Sequence, residues 1–216
     1  MNDKIIFNTI YDSGMFHYGI KPSPLLEKIV RQFFQRPING CYLDLGSGIG
    51  SNALFMAQCG FNTVAVDFSR VALGNLKKKA NELDLSDMIK VVYSDLAAFQ
   101  IKENSYSVIS CVNALQFLEK ENSLRLVRGM KEGLVSGGII FIVAFTDEKK
   151  LSVFQSPTKP FKEVRPKTYF KNYEALEMFS GFIVVDYFEG IVLDSGLGKC
   201  SSHYHGIVRI VAQRPN

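Results

Sequence analysis

The chain has 216 residues, of which 47% are hydrophobic, and its formal net charge is +4 at neutral pH. This length and composition predict one domain with a large buried core. The mild positive charge requires neither nucleic acid nor a membrane surface as a partner, and we expect neither. The four cysteines have no CxxC spacing, which argues against structural zinc and for a reducing cytoplasm. With no signal-peptide pattern and no apolar run of about 20 residues, the expectation is a soluble cytoplasmic protein.

Apolar, strand-like runs alternate with runs of helical period along the chain. This alternation predicts an α/β sandwich with a mainly parallel sheet. In chain order, helices are predicted at residues 24–34, 52–58, 70–83, 124–134 and 173–179. The fourth of these is expected to close at Gly137-Gly138. Strands are predicted at residues 41–45, 63–67, 89–93, 107–112, 139–145, 182–188 and 207–213, with the last two forming an antiparallel pair at the sheet edge.

Residues 146–169 break this rhythm, because they contain three prolines and several lysines. A connection of this length inside a domain is typical of a lid or binding loop. We therefore predict a single domain over 1–216, with an N-terminal cap segment and helix at 1–36 and a substrate lid at 146–170. We expect residues 11–18 and 146–169 to form a roof over a substrate pocket, and the aromatic residues Phe16, Tyr18, Phe154 and Phe161 suit that roof.

The motif LDLGSGIG occupies residues 43–50 and follows a predicted strand. Its three glycines alternate, and a glycine turn of this kind lets a nucleotide-like ligand approach the backbone where a Cβ atom would block it. The spacing is G-x-G-x-G rather than the G-x-G-x-x-G of the dinucleotide fingerprint. Asp44 precedes the first glycine by two positions, and a carboxylate suits a cationic ligand better than a pyrophosphate. S-adenosylmethionine (SAM), with an ammonium, a sulfonium and no phosphate, fits this pattern.

Acidic residues also end the next two predicted strands. Asp67 can accept hydrogen bonds from both ribose hydroxyls, or it can cap the following helix. Ser94-Asp95 can bind an adenine amino group beside apolar Leu96, or it can form an ordinary turn. The fourth predicted strand runs into Asn113-Ala114, which should face the reactive end of the ligand because open α/β sheets bind ligands at the carboxyl ends of their strands.

His203 and His205 flank Tyr204 near the end of the chain and would point to one face of a strand. They could form a weak metal pair, a substrate clamp or an ordinary surface. No further ligands are evident, so no metal site is predicted. For a hydroxyl acceptor, His205 or His203 could serve as general base, whereas a thiol or chalcogen nucleophile needs none. Tyr18 or Phe16 is expected to make a cation–π contact with the sulfonium.

Together these stretches resemble the class I SAM-dependent methyltransferases, and more closely the tellurite-resistance methyltransferase group among them. The matching segments are LDLGSGIG at 43–50, NALFMA at 52–57, VD at 66–67, VVYSDL at 91–96 and NALQFLE at 113–119. The resemblance implies a three-layer Rossmann-like sandwich whose seven-stranded, mainly parallel sheet has its last strand antiparallel. The expected SAM-binding residues are Asp44, Gly46, Ser47, Gly48, Gly50, Asp67, Phe68, Ser94, Asp95, Leu96 and Asn113.

The predicted function is methyl transfer from SAM to a small-molecule acceptor, with a thiol or a chalcogen oxyanion among the candidates. One alternative is an NAD-dependent oxidoreductase, which predicts the G-x-G-x-x-G spacing and is disfavoured by Asp44. A non-catalytic SAM-binding protein is a second alternative, since no catalytic base is evident. A methyltransferase for macromolecules is a third, although the chain has no separate basic domain and no Asn-Pro-Pro-Tyr-like motif.

Overall fold

Helices and strands alternate along the chain, as the sequence predicts. The computed structural model describes residues 3–13, 21–34, 38, 40–147, 166–194 and 203–216. The helices are α1 Asp3–Asp12, α2 Pro24–Phe33, α3 Ser51–Gln58, α4 Arg70–Glu82, α5 Lys120–Gly133 and α6 Glu174–Met178, with 3-10 turns at Ser86–Met88 and Leu115–Phe117. The strands are β1 Cys41–Leu45, β2 Asn62–Asp67, β3 Ile89–Tyr93, β4 Tyr106–Val112, β5 Leu134–Phe145, β6 Ile183–Asp194 and β7 His203–Gln213.

The seven strands form one sheet in the order β3-β2-β1-β4-β5-β7-β6. Strands β1 to β5 pair in parallel, and β7 is antiparallel to both of its neighbours, β5 and β6. The predicted mixed sheet and its antiparallel edge pair are therefore confirmed. The central strands read as nearly continuous apolar runs because helices cover both faces of the sheet.

Adjacent residues of β1 point to opposite faces and so belong to different cores. Leu43 packs in a cluster with Leu126 and Met130 of α5, together with Phe179 just after α6. Tyr42 packs on the other face with side chains of α2 and α3, such as Leu26 and Met56. This arrangement gives the three layers that the resemblance implies, and it leaves the carboxyl ends of β1 to β4 open toward a cavity.

Strand β5 begins at Leu134, directly after α5 ends at Gly133. The sequence predicted instead that Gly137-Gly138 would close that helix. The glycines instead form an irregularity inside the strand, where the register with β4 jumps between Tyr106 and Val108. Gly137 adopts a φ of 72°, and its N–H donates to the Arg214 carbonyl oxygen over 3.1 Å. Pairing with the chain's last residues therefore decides the role of these glycines.

Strands β6 and β7 both extend further than predicted, because their pairing with each other continues as far as Asp194 and His203. Helix α1 was not predicted as a helix at all. No helix within the described ranges is long and apolar enough to cross a membrane. Residues 148–165, most of the predicted lid, lie outside the described residues, as do Phe16 and Tyr18. The assignment of 1–36 as a cap and 146–170 as a lid stays a prediction.

Candidate functional site

A cavity of about 870 Å³ lies where β1 to β5 end. Its volume is in the range of small-molecule and cofactor sites. The lining includes α1, residues 21–24, the glycine turn and the starts of the segments that follow β2, β3 and β4. Of the predicted cofactor residues, those that line it are Asp44, Gly46, Ser47, Gly48, Asp67, Phe68, Asp95, Leu96 and Asn113.

The glycine turn joins β1 to α3, and all three of its glycines have positive φ angles of 72°, 53° and 81°. A Cβ atom built on Gly46 would lie 2.5 Å from the Ala114 methyl group, and one on Gly50 would collide with Leu76. At these two positions, backbone conformation and contact with neighbouring protein atoms already require glycine. That a Cβ atom in the turn would also block a ligand stays a prediction.

Asp67 ends β2 and uses both carboxylate oxygens to hold the turn. Its Oδ2 accepts a 2.8 Å hydrogen bond from the Gly48 N–H, and its Oδ1 accepts one of 2.8 Å from the Ser69 N–H. Ser69 in turn caps α4 by accepting from the Ala72 N–H. Burial raises the pKa of Asp67 above its ordinary value. Each carboxylate oxygen has a second lone pair, so Asp67 can stabilise the turn and also accept from a ligand hydroxyl.

Asp44 is 2% exposed and lines the same cavity. Its Oδ1 accepts a 2.9 Å hydrogen bond from the Ser110 hydroxyl, whereas its Oδ2 accepts none from any described residue. Burial raises the pKa of Asp44 to about 6, although hydrogen bonding from Ser110 opposes that rise. A buried carboxylate oxygen without a donor is costly, so this atom is suited to an N–H or ammonium ligand.

The third acidic residue, Asp95, follows β3 and also lines the cavity. Asp95 forms an ion pair of 3.2 Å with Lys4 of α1 and accepts a 2.9 Å hydrogen bond from the Ala97 N–H. Leu96, which is buried, and Phe68 supply apolar surface beside it. This combination of one carboxylate and flat apolar walls suits a purine ring and its exocyclic amine.

Asn113 lies at the end of β4 with a φ of 54°, and its N–H donates to the Val143 carbonyl oxygen over 2.9 Å. Asparagine tolerates this left-handed conformation better than most residues do. Two predicted cofactor residues, Gly50 and Ser94, are not part of the lining that the described residues form. Gly50 instead precedes α3, and the Ser94 hydroxyl donates to the Asp95 carbonyl oxygen.

Helix α1 supplies lining residues that the sequence analysis missed, namely Lys4, Phe7 and Ile10, together with Tyr11. Phe7 packs edge-to-face against Phe68 and Phe117, with ring centroids 5.6 and 5.2 Å apart. The signal was present, because Ile6 and Ile10, like Phe7 and Tyr11, are four residues apart and share one helix face. Tyr11 belongs to the predicted roof.

The predicted catalytic residues are less well placed. His205 is 8% exposed and stacks on Phe145 with ring centroids 4.8 Å apart, and it is not among the described side chains that line the cavity. The His203 side chain and all of Tyr18 lie outside the described residues. Their catalytic roles stay predictions. Among the residues that the structure places, no three His, Cys, Asp or Glu side chains are grouped to hold a metal ion.

The seven-stranded mixed sheet superposes on solved structures of SAM-dependent methyltransferases, which confirms the predicted fold. Residues 33–182 match the family of the tellurite resistance protein TehB, and the chain belongs to that family. The resemblance stated from the motifs is thereby confirmed.

Individual relatives agree with this assignment. The chain is 31% identical over 137 residues to a probable SAM-dependent methyltransferase TehB of Haemophilus influenzae, covering 62% of this chain and 46% of that protein. It is 33% identical over 110 residues to the cypemycin N-terminal methyltransferase of a Streptomyces species, covering 50% and 43%. The crystal structure of TehB from Haemophilus influenzae superposes with a TM-score of 0.71 at 19% identity, covering 99% of this chain and 67% of that one. The chain thus spans less than half the length of the curated relatives that it matches.

Proposed function

We propose that this protein transfers the methyl group of SAM to a small-molecule acceptor whose nucleophile is a thiol or a chalcogen oxyanion. The observation that carries the SAM assignment is the buried, unpartnered Oδ2 of Asp44 on a cavity that Asp67 and Asp95 also line. Three carboxylates favour a cationic ligand with hydroxyl and amine donors and disfavour a pyrophosphate. The residues present therefore fit SAM and argue against a dinucleotide.

In this proposal each residue has a limited task. Asp44 binds the amino group of the methionine end, Asp67 accepts from the ribose hydroxyls, and Asp95 accepts from the adenine amine while Phe68 and Leu96 contact the ring. Bound SAM would supply a methyl group on a sulfonium, an excellent leaving group for in-line displacement. The protein then needs to position the acceptor and exclude water, which can contribute several kcal/mol.

The choice of acceptor is supported by further polar residues that line the cavity. These residues are Lys21, Glu119, Asn122 and Lys167. The described lining contains neither histidine nor cysteine. Glu119 lies 3.7 Å from the ammonium of Lys167. A thiol is partly ionised near neutral pH and its thiolate is a strong nucleophile, whereas a chalcogen oxyanion already carries charge, so neither needs a general base. The two lysines favour an anionic nucleophile over a neutral amine.

A screen of acceptor classes tests this proposal. The purified protein is incubated with SAM and a thiol, selenite, tellurite, a phenol or an amine, and release of S-adenosylhomocysteine is measured. We expect turnover with the thiol or with a chalcogen oxyanion. Turnover with the amine or phenol alone would overturn the acceptor assignment. The amine is included because the Streptomyces relative is named an N-terminal methyltransferase.

Binding is measured separately by calorimetry with SAM and with NAD. Affinity for SAM without turnover on any acceptor indicates a binding protein rather than an enzyme. Affinity for NAD instead of SAM would overturn the cofactor assignment itself.

A further inference from the structure

Three buried polar side chains, Tyr42, Ser110 and Asp44, are linked by hydrogen bonds next to the cofactor cavity, and we call them the relay. The Tyr42 hydroxyl is 2.5 Å from the Ser110 hydroxyl, which is 2.9 Å from Asp44 Oδ1. Tyr42 and Ser110 are fully buried and Asp44 is 2% exposed. Tyr42 and Asp44 point to the same side of β1 because they are two residues apart, and Ser110 is the residue of β4 paired with Asp44.

The direction of these hydrogen bonds follows from the inventory of protons. An ionised carboxylate only accepts, so the single hydroxyl proton of Ser110 is donated to Asp44. Tyr42 must then be the donor to the Ser110 oxygen. Tyr42 thus donates to Ser110, and Ser110 donates to Asp44 Oδ1. Among the described residues, the other carboxylate oxygen, Asp44 Oδ2, has no donor.

We propose that Tyr42 and Ser110 are positioning residues, which hold the Asp44 carboxylate in one orientation so that Oδ2 receives the amino group of the cofactor. The proposal rests on the function proposed above, because it takes SAM as the ligand. Neither residue lines the cavity in the described part of the chain, so both act through Asp44. Their sequence positions alone do not reveal this role, since nothing in a strand pattern pairs a tyrosine with a serine 68 residues later.

The relay also determines when Asp44 is charged. Hydrogen bonds to a carboxylate favour its ionised form, so loss of the relay raises the pKa of Asp44 further above its value of about 6. The other titratable groups that face it are Asp67 from β2, which repels its charge, and the buried thiol of Cys111 from β4. Helix α3 presents no titratable side chain. An ammonium ligand needs ionised Asp44, so affinity should fall as the pH drops through the pKa.

The experiment measures the dissociation constant of SAM by calorimetry from pH 5.5 to 8.5 for the parent, Tyr42→Phe and Ser110→Ala. At pH 8.5 we expect Tyr42→Phe to bind within about twofold of the parent. Its affinity should fall at a pH higher by about half a unit to one unit, giving a loss of about two- to fivefold near pH 6. Ser110→Ala removes the direct donor and should shift the midpoint further.

Tyr106→Phe is the matched control, because Tyr106 is a half-buried tyrosine on β4 that lies outside the relay. It should keep the parent midpoint. Identical midpoints for the parent, Tyr42→Phe and Ser110→Ala would overturn the proposal, because a purely structural role lowers stability without moving a pH profile.

A second measurement does not depend on the cofactor. Carbon-13 NMR of the aspartate carboxyl groups, with Asp44 assigned through Asp44→Asn, should show a higher pKa of Asp44 in Tyr42→Phe than in the parent. If the parent does not bind SAM, the function proposed above is overturned, and this titration still decides whether the relay acts on Asp44. An unchanged Asp44 titration would overturn the relay itself.

Discussion

At the scale of single residues, Asp67 has two tasks, since it stabilises the glycine turn and lines the cavity. Both of its oxygens accept backbone hydrogen bonds of 2.8 Å. A carboxylate in this position stabilises the turn whether or not a cofactor is bound. The alternative that the sequence left open, a helix-capping aspartate, is not what the structure shows, because Ser69 caps α4 and Asp67 instead accepts from the Gly48 and Ser69 N–H groups.

We predict that Asp67→Asn weakens SAM binding by more than tenfold and also lowers thermal stability. The amide keeps only one acceptor oxygen and loses its charge, and a hydrogen bond to a charged group is worth roughly 1.5–3 kcal/mol. Calorimetry and thermal unfolding measure the two effects. Asp87→Asn, at an exposed position, is the control and should alter neither. Parent-like affinity in Asp67→Asn would exclude Asp67 from the ribose site.

We predict that Gly50→Ala lowers the free energy of unfolding by roughly 2–4 kcal/mol. The added methyl group would collide with Leu76 in a residue whose φ is 81°, and overpacking adds to left-handed strain. Gly74→Ala is the matched control, because nothing lies within 4 Å of a Cβ atom at that helical position. It should stabilise α4 by about 0.5–1 kcal/mol. Urea unfolding of both variants decides, and equal effects would contradict this account of the turn.

At the scale of elements, α1 is the least expected part of the site. It lines the cavity beside Asp95, through the ion pair of Lys4 with Asp95 and through Phe7. The charged atoms of that ion pair are partly exposed, so the aromatic contacts hold the helix more firmly than the ion pair does. A ligand that reaches Asp95 must share this space with α1.

We predict that Phe7→Ala detaches α1 and weakens SAM binding while leaving the sheet folded. Removing a buried phenylalanine costs roughly 3–5 kcal/mol of packing free energy. A ten-residue helix is marginally stable in water without such packing. Amide hydrogen exchange should rise across α1 and stay unchanged in β1 and β4. Ile5→Ala is the control on the exposed face of the same helix. Unchanged protection of α1 in Phe7→Ala would show that Phe7 does not hold it.

The sequence predicted the elements with strong local signals and missed those that depend on distant partners. The strands β1 to β4 are predicted within about a residue, because buried apolar runs and glycine or aspartate ends define them locally. Gly137-Gly138 was assigned to a helix end because its pairing with Arg214 is invisible to local patterns. The contact that excludes a Cβ atom at Gly46 was missed for a similar cause, since Ala114 lies far along the chain.

At the scale of the whole molecule, the buried carboxylates of Asp44 and Asp67 make the stability of the protein depend on pH. Burial raises the pKa of Asp44 to about 6 and also raises that of Asp67. Unfolded aspartates release their protons near pH 4. The folded protein therefore binds more protons between about pH 4 and 6, so its free energy of unfolding decreases as the pH rises through this window.

We predict that Asp44→Asn removes most of this dependence. The variant should gain roughly 2–3 kcal/mol of stability relative to the parent between pH 4.5 and pH 7, because the parent must ionise a buried carboxylate over that interval. Urea unfolding at the two pH values, without SAM, measures the difference. Asp87→Asn should show no such change. A pH-independent difference between Asp44→Asn and the parent would refute the raised pKa of Asp44.

The place of β7 between β5 and β6 also has a consequence for synthesis on the ribosome. Strands β1 to β4 can pair as soon as Val112 has emerged, so the half of the sheet that carries the glycine turn can form early. Strand β5 must then wait with one edge open, and β6, with exposed Ile183, Ile191 and Leu193, has no partner at all. Unpaired apolar edges are where nascent chains aggregate or bind chaperones. The closing of this sheet is therefore a late event that requires His203–Gln213 to have left the exit tunnel.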